Sequence, residues 1–106
     1  MDIQKARQLL SLFYETGKTR TYKRRDIILS VQEPSPLELY IQRGFVKVVT
    51  YNARGEENIH HIYGPGEIFP LLDMFDRKQE PQTFLAVSDV TLKERTMKDL
   101  IQYLIT

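Results

Sequence analysis

From Thr19 onward the chain is cut into short stretches rich in Val, Ile, Thr, Tyr and Phe, separated by glycines, prolines and polar residues. β-Branched and aromatic side chains suit a pleated, half-buried surface, and turn residues at such close intervals leave no room for long helices. The spacing predicts strands at Thr19–Arg24, Ile27–Val31, Leu39–Arg43, Phe45–Tyr51, Glu57–Tyr63, Thr83–Val87 and Val90–Arg95. Glu33-Pro34-Ser35-Pro36 cannot be a paired central strand, because each proline removes a backbone donor. Asn52-Ala53-Arg54-Gly55 reads as a hairpin loop with Gly55 at positive φ. Gly64-Pro65-Gly66 is a second sharp break, and one helical turn is expected over Leu71–Phe75.

Both ends of the chain carry a different period. Ile3, Ala6, Leu9, Leu10, Phe13 and Tyr14 recur at spacings of three and four, which predicts an amphipathic helix capped by Asp2 and ended by a left-handed Gly17. Leu100, Ile101, Leu104 and Ile105 repeat the pattern over Met97–Ile105. That stretch reaches the final residue without a stop signal, so a longer natural protein is expected. With 106 residues the chain suits one domain, burying roughly two-thirds of its unfolded surface around one core. The expected fold is mainly β: a double-stranded β-helix, or jelly-roll-like antiparallel β-roll, over residues 19–95. An N-terminal helix over 1–17 and the start of a short C-terminal helix over 97–106 flank it.

Several chemistries are excluded or disfavoured by residue type. The absence of cysteine rules out disulfides, thiolate zinc sites, cysteine nucleophiles and cysteine-held iron–sulfur clusters. His60 and His61 are the only histidines, and as neighbours on one strand they should point to opposite faces. A metal site built from His61 and Glu67 would be under-ligated, so no metal and no cupin-type enzyme is expected. Ser11, Ser30, Ser35 and Ser88 lie outside any nucleophile-elbow pattern, and no phosphate-cradling glycine loop precedes a Lys-Ser/Thr pair. Asp73, Asp76 and Glu80 read as solvated loop charges. Catalytic residues are therefore expected to be absent. Lys18, Arg20, Lys23, Arg24 and Arg25 around Tyr22 read as an edge strand defended by charge rather than a nucleic-acid surface. A net charge of +1 gives no global field toward DNA or membrane. No apolar run approaches membrane-spanning length and no signal-peptide core opens the chain, so a cytoplasmic location is expected.

The ordered set of motifs resembles the cyclic-nucleotide-binding fold of the Crp/Fnr superfamily of transcription regulators. It comprises Tyr22-Lys23-Arg24-Arg25-Asp26-Ile27-Ile28-Leu29, Leu39-Tyr40-Ile41-Gln42-Arg43-Gly44-Phe45-Val46-Lys47-Val48, Gly55-Glu56-Glu57, Gly64-Pro65-Gly66-Glu67-Ile68-Phe69, and Val90-Thr91-Leu92 leading into Met97-Lys98-Asp99-Leu100. The likeness spans about residues 13–106. It implies an effector-sensing domain of a dimeric bacterial regulator, continued by a dimerisation helix and a helix-turn-helix that this chain lacks. DNA would then be bound only through that missing part. The alternative is a stand-alone module that binds a small ligand or a protein partner.

In members of this family that bind cyclic nucleotide, a glutamate accepts from the ribose hydroxyl, and an arginine beside a small hydroxyl residue neutralises the cyclic phosphate. Aligned on Gly66-Glu67-Ile68-Phe69, this sequence puts Pro70 at a glycine, Leu71 at the glutamate and Pro81 near the arginine. Leu71 cannot accept a hydrogen bond, Pro70 removes a backbone donor and Pro81 removes the charge partner. The resemblance therefore implies a pocket that does not bind cyclic AMP in the usual way. Its candidate residues are Gly66, Glu67, Ile68, Phe69, Leu71, Arg77, Lys78, Gln82, Thr83 and Phe84, with Arg77, Lys78, Gln82 and Thr83 able to compensate for the lost anion contacts. No cofactor is expected, since haem would have a single unsupported histidine and a small organic effector needs none.

Overall fold

The computed structural model describes residues 2–31, 37–70 and 81–105. Helix α1 (Ile3–Glu15) leads into β1 (Lys18–Tyr22), β2 (Ile27–Val31), β3 (Leu37–Arg43), β4 (Val46–Tyr51), β5 (Glu57–Tyr63), β6 (Ile68–Phe69), β7 (Gln82–Ala86) and β8 (Val90–Thr96). Helix α2 (Met97–Ile105) follows β8 directly. The strands form two four-stranded sheets, ordered β1-β8-β3-β6 and β2-β7-β4-β5, with every pairing antiparallel. The expected β-roll with a helix at each end is what the chain forms.

Alternation builds the core. Leu39, Ile41, Val90, Leu92 and Phe69 from the first sheet meet Val46, Val48, Tyr63, Phe84 and Ala86 from the second in one buried cluster. Residues one position away face outward. On the first sheet these are Tyr40 and Ile68, and they meet Phe13, Tyr14, Leu10, Leu100 and Tyr103 of the two helices in a second cluster. The helices thus cover the outer face of one sheet, the usual way to hide an apolar sheet surface.

Local details depart from the sequence expectations for identifiable reasons. β1 ends at Tyr22 rather than Arg24 because Lys23–Asp26 folds into a turn: the Asp26 carboxylate accepts the Lys23 N–H at 2.8 Å, and Arg25 takes a positive φ of 78°. β6 was not foreseen, since two residues carry no readable period. Gly17 is not left-handed. A Cβ there would lie 2.6 Å from the Glu94 carbonyl oxygen, so close packing of the α1–β1 connection against β8 is what selects glycine. Asp2 caps α1 as expected, accepting from the Lys5 N–H at 2.7 Å. The helical turn expected over Leu71–Phe75 lies outside the described residues.

Arg95 at the end of β8 ties both helices to the sheet. Its guanidinium stands 4.1 Å over the Phe13 ring, donates to the Phe13 carbonyl at 2.8 Å and to the Thr16 hydroxyl at 2.9 Å, and lies 3.5 Å from the Asp99 carboxylate. Tyr103 adds a second tie, donating to the Leu9 carbonyl at 3.0 Å. Replacing Arg95 with Met keeps the stem but removes charge and donors, and should cost about 1–3 kcal/mol in urea denaturation. Asp99→Asn, at a largely exposed pair, should cost less than about 0.5 kcal/mol.

Tyr14 lies beneath this clasp, fully buried and stacked on Tyr40 at 5.2 Å between centroids. Among the described residues its hydroxyl meets no hydrogen-bond partner. Burial pushes the phenol pKa above its ordinary value, the nearby Glu38 carboxylate adds to the push, and Arg95 opposes it. The unfolded chain therefore loses this proton first, near pH 10. Above that pH the unfolded state binds fewer protons than the folded one, so stability falls as pH rises. Tyr14→Phe should flatten the alkaline limb of the stability–pH curve while changing stability at pH 7 little or favourably; chemical denaturation from pH 7 to 11 checks this.

Candidate functional site

The interior of the roll is an aromatic ladder. Phe69 and Phe84 stack with centroids 5.0 Å apart and planes 18° from parallel. Tyr63 lies 5.6 Å from Phe69, and His61 meets Tyr63 edge-on at 4.4 Å. Phe69-Pro70 and Pro81-Gln82 flank residues 71–80, so the candidates Leu71, Arg77 and Lys78 lie outside the described residues. The Phe69–Phe84 contact brings β6 and β7 together.

The remaining candidates separate by face. Gly66 has a φ of 88° and donates its N–H to the Ile41 carbonyl at 2.8 Å, which fastens the 64–67 turn to β3. Glu67 spends its carboxylate on the same turn, accepting the Gly64 N–H at 2.8 Å. Ile68 packs with the helices while Phe69 packs in the roll, so these neighbours do not share a pocket. Thr83 faces outward, its hydroxyl 3.5 Å from that of Ser30 on the exposed side of the second sheet. Gln82 and Phe84 face inward, as the alternation of buried and half-buried residues along β7 requires.

The register of β5 places the two histidines differently from the sequence expectation. β5 carries a bulge: Val48 pairs with His61 and Val49 with Ile59, leaving His60 as the extra residue. Strict alternation, which would send the two histidines to opposite faces, therefore fails. His61 meets the inward Tyr63, and His60 Nε2 lies 2.8 Å from the hydroxyl of buried Thr50. Among the described residues no three His, Cys, Asp or Glu side chains converge as metal ligands. Arg20, which shares a rung with Leu92, pairs with the carboxylate of Glu94 and is neutralised there. A separate cleft of about 420 Å³ opens at the helix clasp, lined by Leu12, Phe13, Arg95, Asp99, Gln102 and Tyr103 among others.

With the two sheets, their glycine turns and the flanking helices in place, the chain belongs to the cyclic nucleotide-binding domain family, whose pattern matches residues 19–106. No curated protein sequence matches it. Among solved structures it is similar to the sensor domain of the transcriptional regulator DNR from Pseudomonas aeruginosa, with 19% identity and a TM-score of 0.74 over 99% of this chain and 81% of that one. It is also similar to the global regulator CLP of Xanthomonas campestris, described as responsive to c-di-GMP, with 18% identity and a TM-score of 0.76 over 93% of this chain and 48% of that one. A third similarity is to the N-terminal domain of a Streptomyces coelicolor transcriptional regulator, at 24% identity and a TM-score of 0.68, covering 92% of this chain and 70% of that one. The chain thus spans about half the length of CLP. At these identities the likeness concerns the fold.

The ladder makes Phe84 a sensitive interior position. Phe84→Ala should cost about 3–5 kcal/mol in urea denaturation, with far-UV circular dichroism at zero denaturant retained if the domain stays above its folding threshold.

Proposed function

We propose that this chain is the effector-sensing domain of a Crp/Fnr-type transcription regulator, regulatory rather than catalytic, cytoplasmic, and acting in a homodimeric full-length protein. The family match, and the resemblance of the fold to the sensor domains of regulators, support the regulatory role. Support for a homodimer comes from α2, where Ile101, Leu104 and Ile105 are at least half exposed and recur at helical spacing. An apolar stripe of this kind on a helix is suited to a partner helix. DNA contact would belong to a helix-turn-helix domain elsewhere in the full protein, moved by the sensor's state.

On the same reading, the domain does not hold cyclic AMP in the usual way. The observation that carries this is the chemistry on either side of residues 71–80: Pro70 and Pro81 offer neither a backbone donor nor a cation, and Gln82 is the inward residue that follows. A buried phosphate without a matched cation is costly. Arg20 is a poor substitute because Glu94 already neutralises it.

The test is a thermal-shift titration with cyclic AMP and cyclic GMP. Binding at a hundred times Kd would add about 2.7 kcal/mol and raise Tm by roughly ten degrees or more. No shift is expected for either nucleotide. A saturable shift would sink the atypical-ligand reading and direct attention to Arg77 and Lys78 as replacement phosphate contacts.

A further inference from the structure

We infer that the cleft at the helix clasp binds a small carboxylate with a short aliphatic tail, at a site outside the roll and independent of the sensor reading. The cleft, about 420 Å³, lies where α1, α2 and the end of β8 meet, and its size falls in the roughly 300–1,000 Å³ range of small-molecule sites. Its lining is of two kinds. From α1 come the apolar Leu12 and Phe13, and from β8 and α2 come the polar Arg95, Asp99 and Gln102. Leu12 lies off the stripe that packs on the sheet and is 61% exposed. A cation and an uncovered aliphatic side chain thus share one space.

Arg95 supplies the recognition element. A guanidinium carries its N–H donors in one fixed plane, two of them on each Nη. Its Nη1 donates to the Phe13 carbonyl at 2.8 Å and to the Thr16 hydroxyl at 2.9 Å, which occupies both protons of that nitrogen. Nη2 is held more loosely. Among the described residues its ion pair is with Asp99 at 3.5 Å, well beyond the roughly 2.7–2.9 Å of a charge-assisted hydrogen bond. Asp99 is itself half exposed, so solvent screens the pair and another carboxylate can replace it. The Nη1 bonds and the Phe13 ring beneath fix the guanidinium in place. It is therefore preorganised, with one edge left for an incoming acid.

The surroundings select the rest of the ligand. Among the described residues the charged groups lining the cleft are Arg95 and Asp99. Glu38 stands across the β3–β8 ladder from Arg95 but is fully buried and does not line the cleft. With Asp99 close by, a single negative charge is better accommodated than a double one. The Phe13 ring is already engaged by Arg95 at 4.1 Å and by Tyr103 at 4.6 Å between centroids, so it offers no place for an aromatic ligand to stack. A flexible aliphatic tail can instead cover Leu12 and remove that surface from water.

The probes are hexanoate, its neutral isostere hexanamide and the cation hexylamine, each titrated into the domain at pH 7 by ligand-observed NMR. Hexanoate should bind saturably, with the amide and the amine at least about tenfold weaker. Asp99→Asn removes the competing carboxylate and should tighten hexanoate binding about threefold. Leu12→Gln, at an exposed helical position, should weaken it about threefold through lost tail contact. Arg95→Met should abolish binding with the fold retained by circular dichroism; if that variant unfolds, Asp99→Asn decides. The inference is overturned by the absence of saturable hexanoate binding, by amide or amine binding as tight as hexanoate, or by unchanged or weaker hexanoate binding in Asp99→Asn. The cyclic nucleotide titration reads the roll instead, so either result there leaves this test unaffected.

Discussion

Both sheets depend on one constraint: each has an apolar face that is stable only when water is kept from it, and each hides that face against the other. The interior rings meet this need. Phe69 comes from a two-residue strand and Phe84 from a five-residue one, yet their stacking joins the two sheets. Dispersion across those ring faces and the removal of their surface from water supply the favourable term that offsets ordering short strands. That contact adds to the brief pairing of β6 with Leu39 and Tyr40 and to the seat of Ile68 under the helices.

Outside the roll, the first sheet is finished by helices rather than by solvent. Arg95 acts through several modes at once: it is stacked on Phe13, bonded to a carbonyl and a hydroxyl at the end of α1, and adjacent to Asp99 at the start of α2. Thr96 closes the junction by accepting the Asp99 N–H at 3.0 Å, so strand and helix join with no intervening loop. The orientation of α2 is therefore set by the last residues of a strand, which makes the helix an extension of the sheet rather than an appendage.

Much of this was legible in the sequence. Period-two runs of Val, Ile, Tyr and Phe located the long strands, Asp2 announced the first helix, and Gly55 marked the hairpin. Other features need three-dimensional contact to exist. The sequence contains Gly17 but not the Glu94 carbonyl that forbids a Cβ there. It contains His60-His61 but not the bulge that sets His60 against Thr50 and His61 against Tyr63. β6 is too short for any period. Within the candidate site, the inward placement of Phe69, Gln82 and Phe84 agrees with alternation, whereas Ile68 and Thr83 fall on other surfaces for the same geometric reason. Thr50 belongs to no motif, and its contact with His60 is revealed only by the register of β4 with β5.

The brevity of β6 has a mechanical consequence. Ile68 and Phe69 are consecutive, one seated under the helices and the other in the ring stack. A strand slips by whole residues, and a slip of one exchanges inside for outside. Here that exchange would drive a phenyl ring into the helix layer and leave a smaller aliphatic group where the ladder needs an aromatic one. Intermediate registers are not available. The strand is therefore a detent with discrete positions, and this edge of the sheet is held at one setting by the mismatch in size and shape between two adjacent side chains.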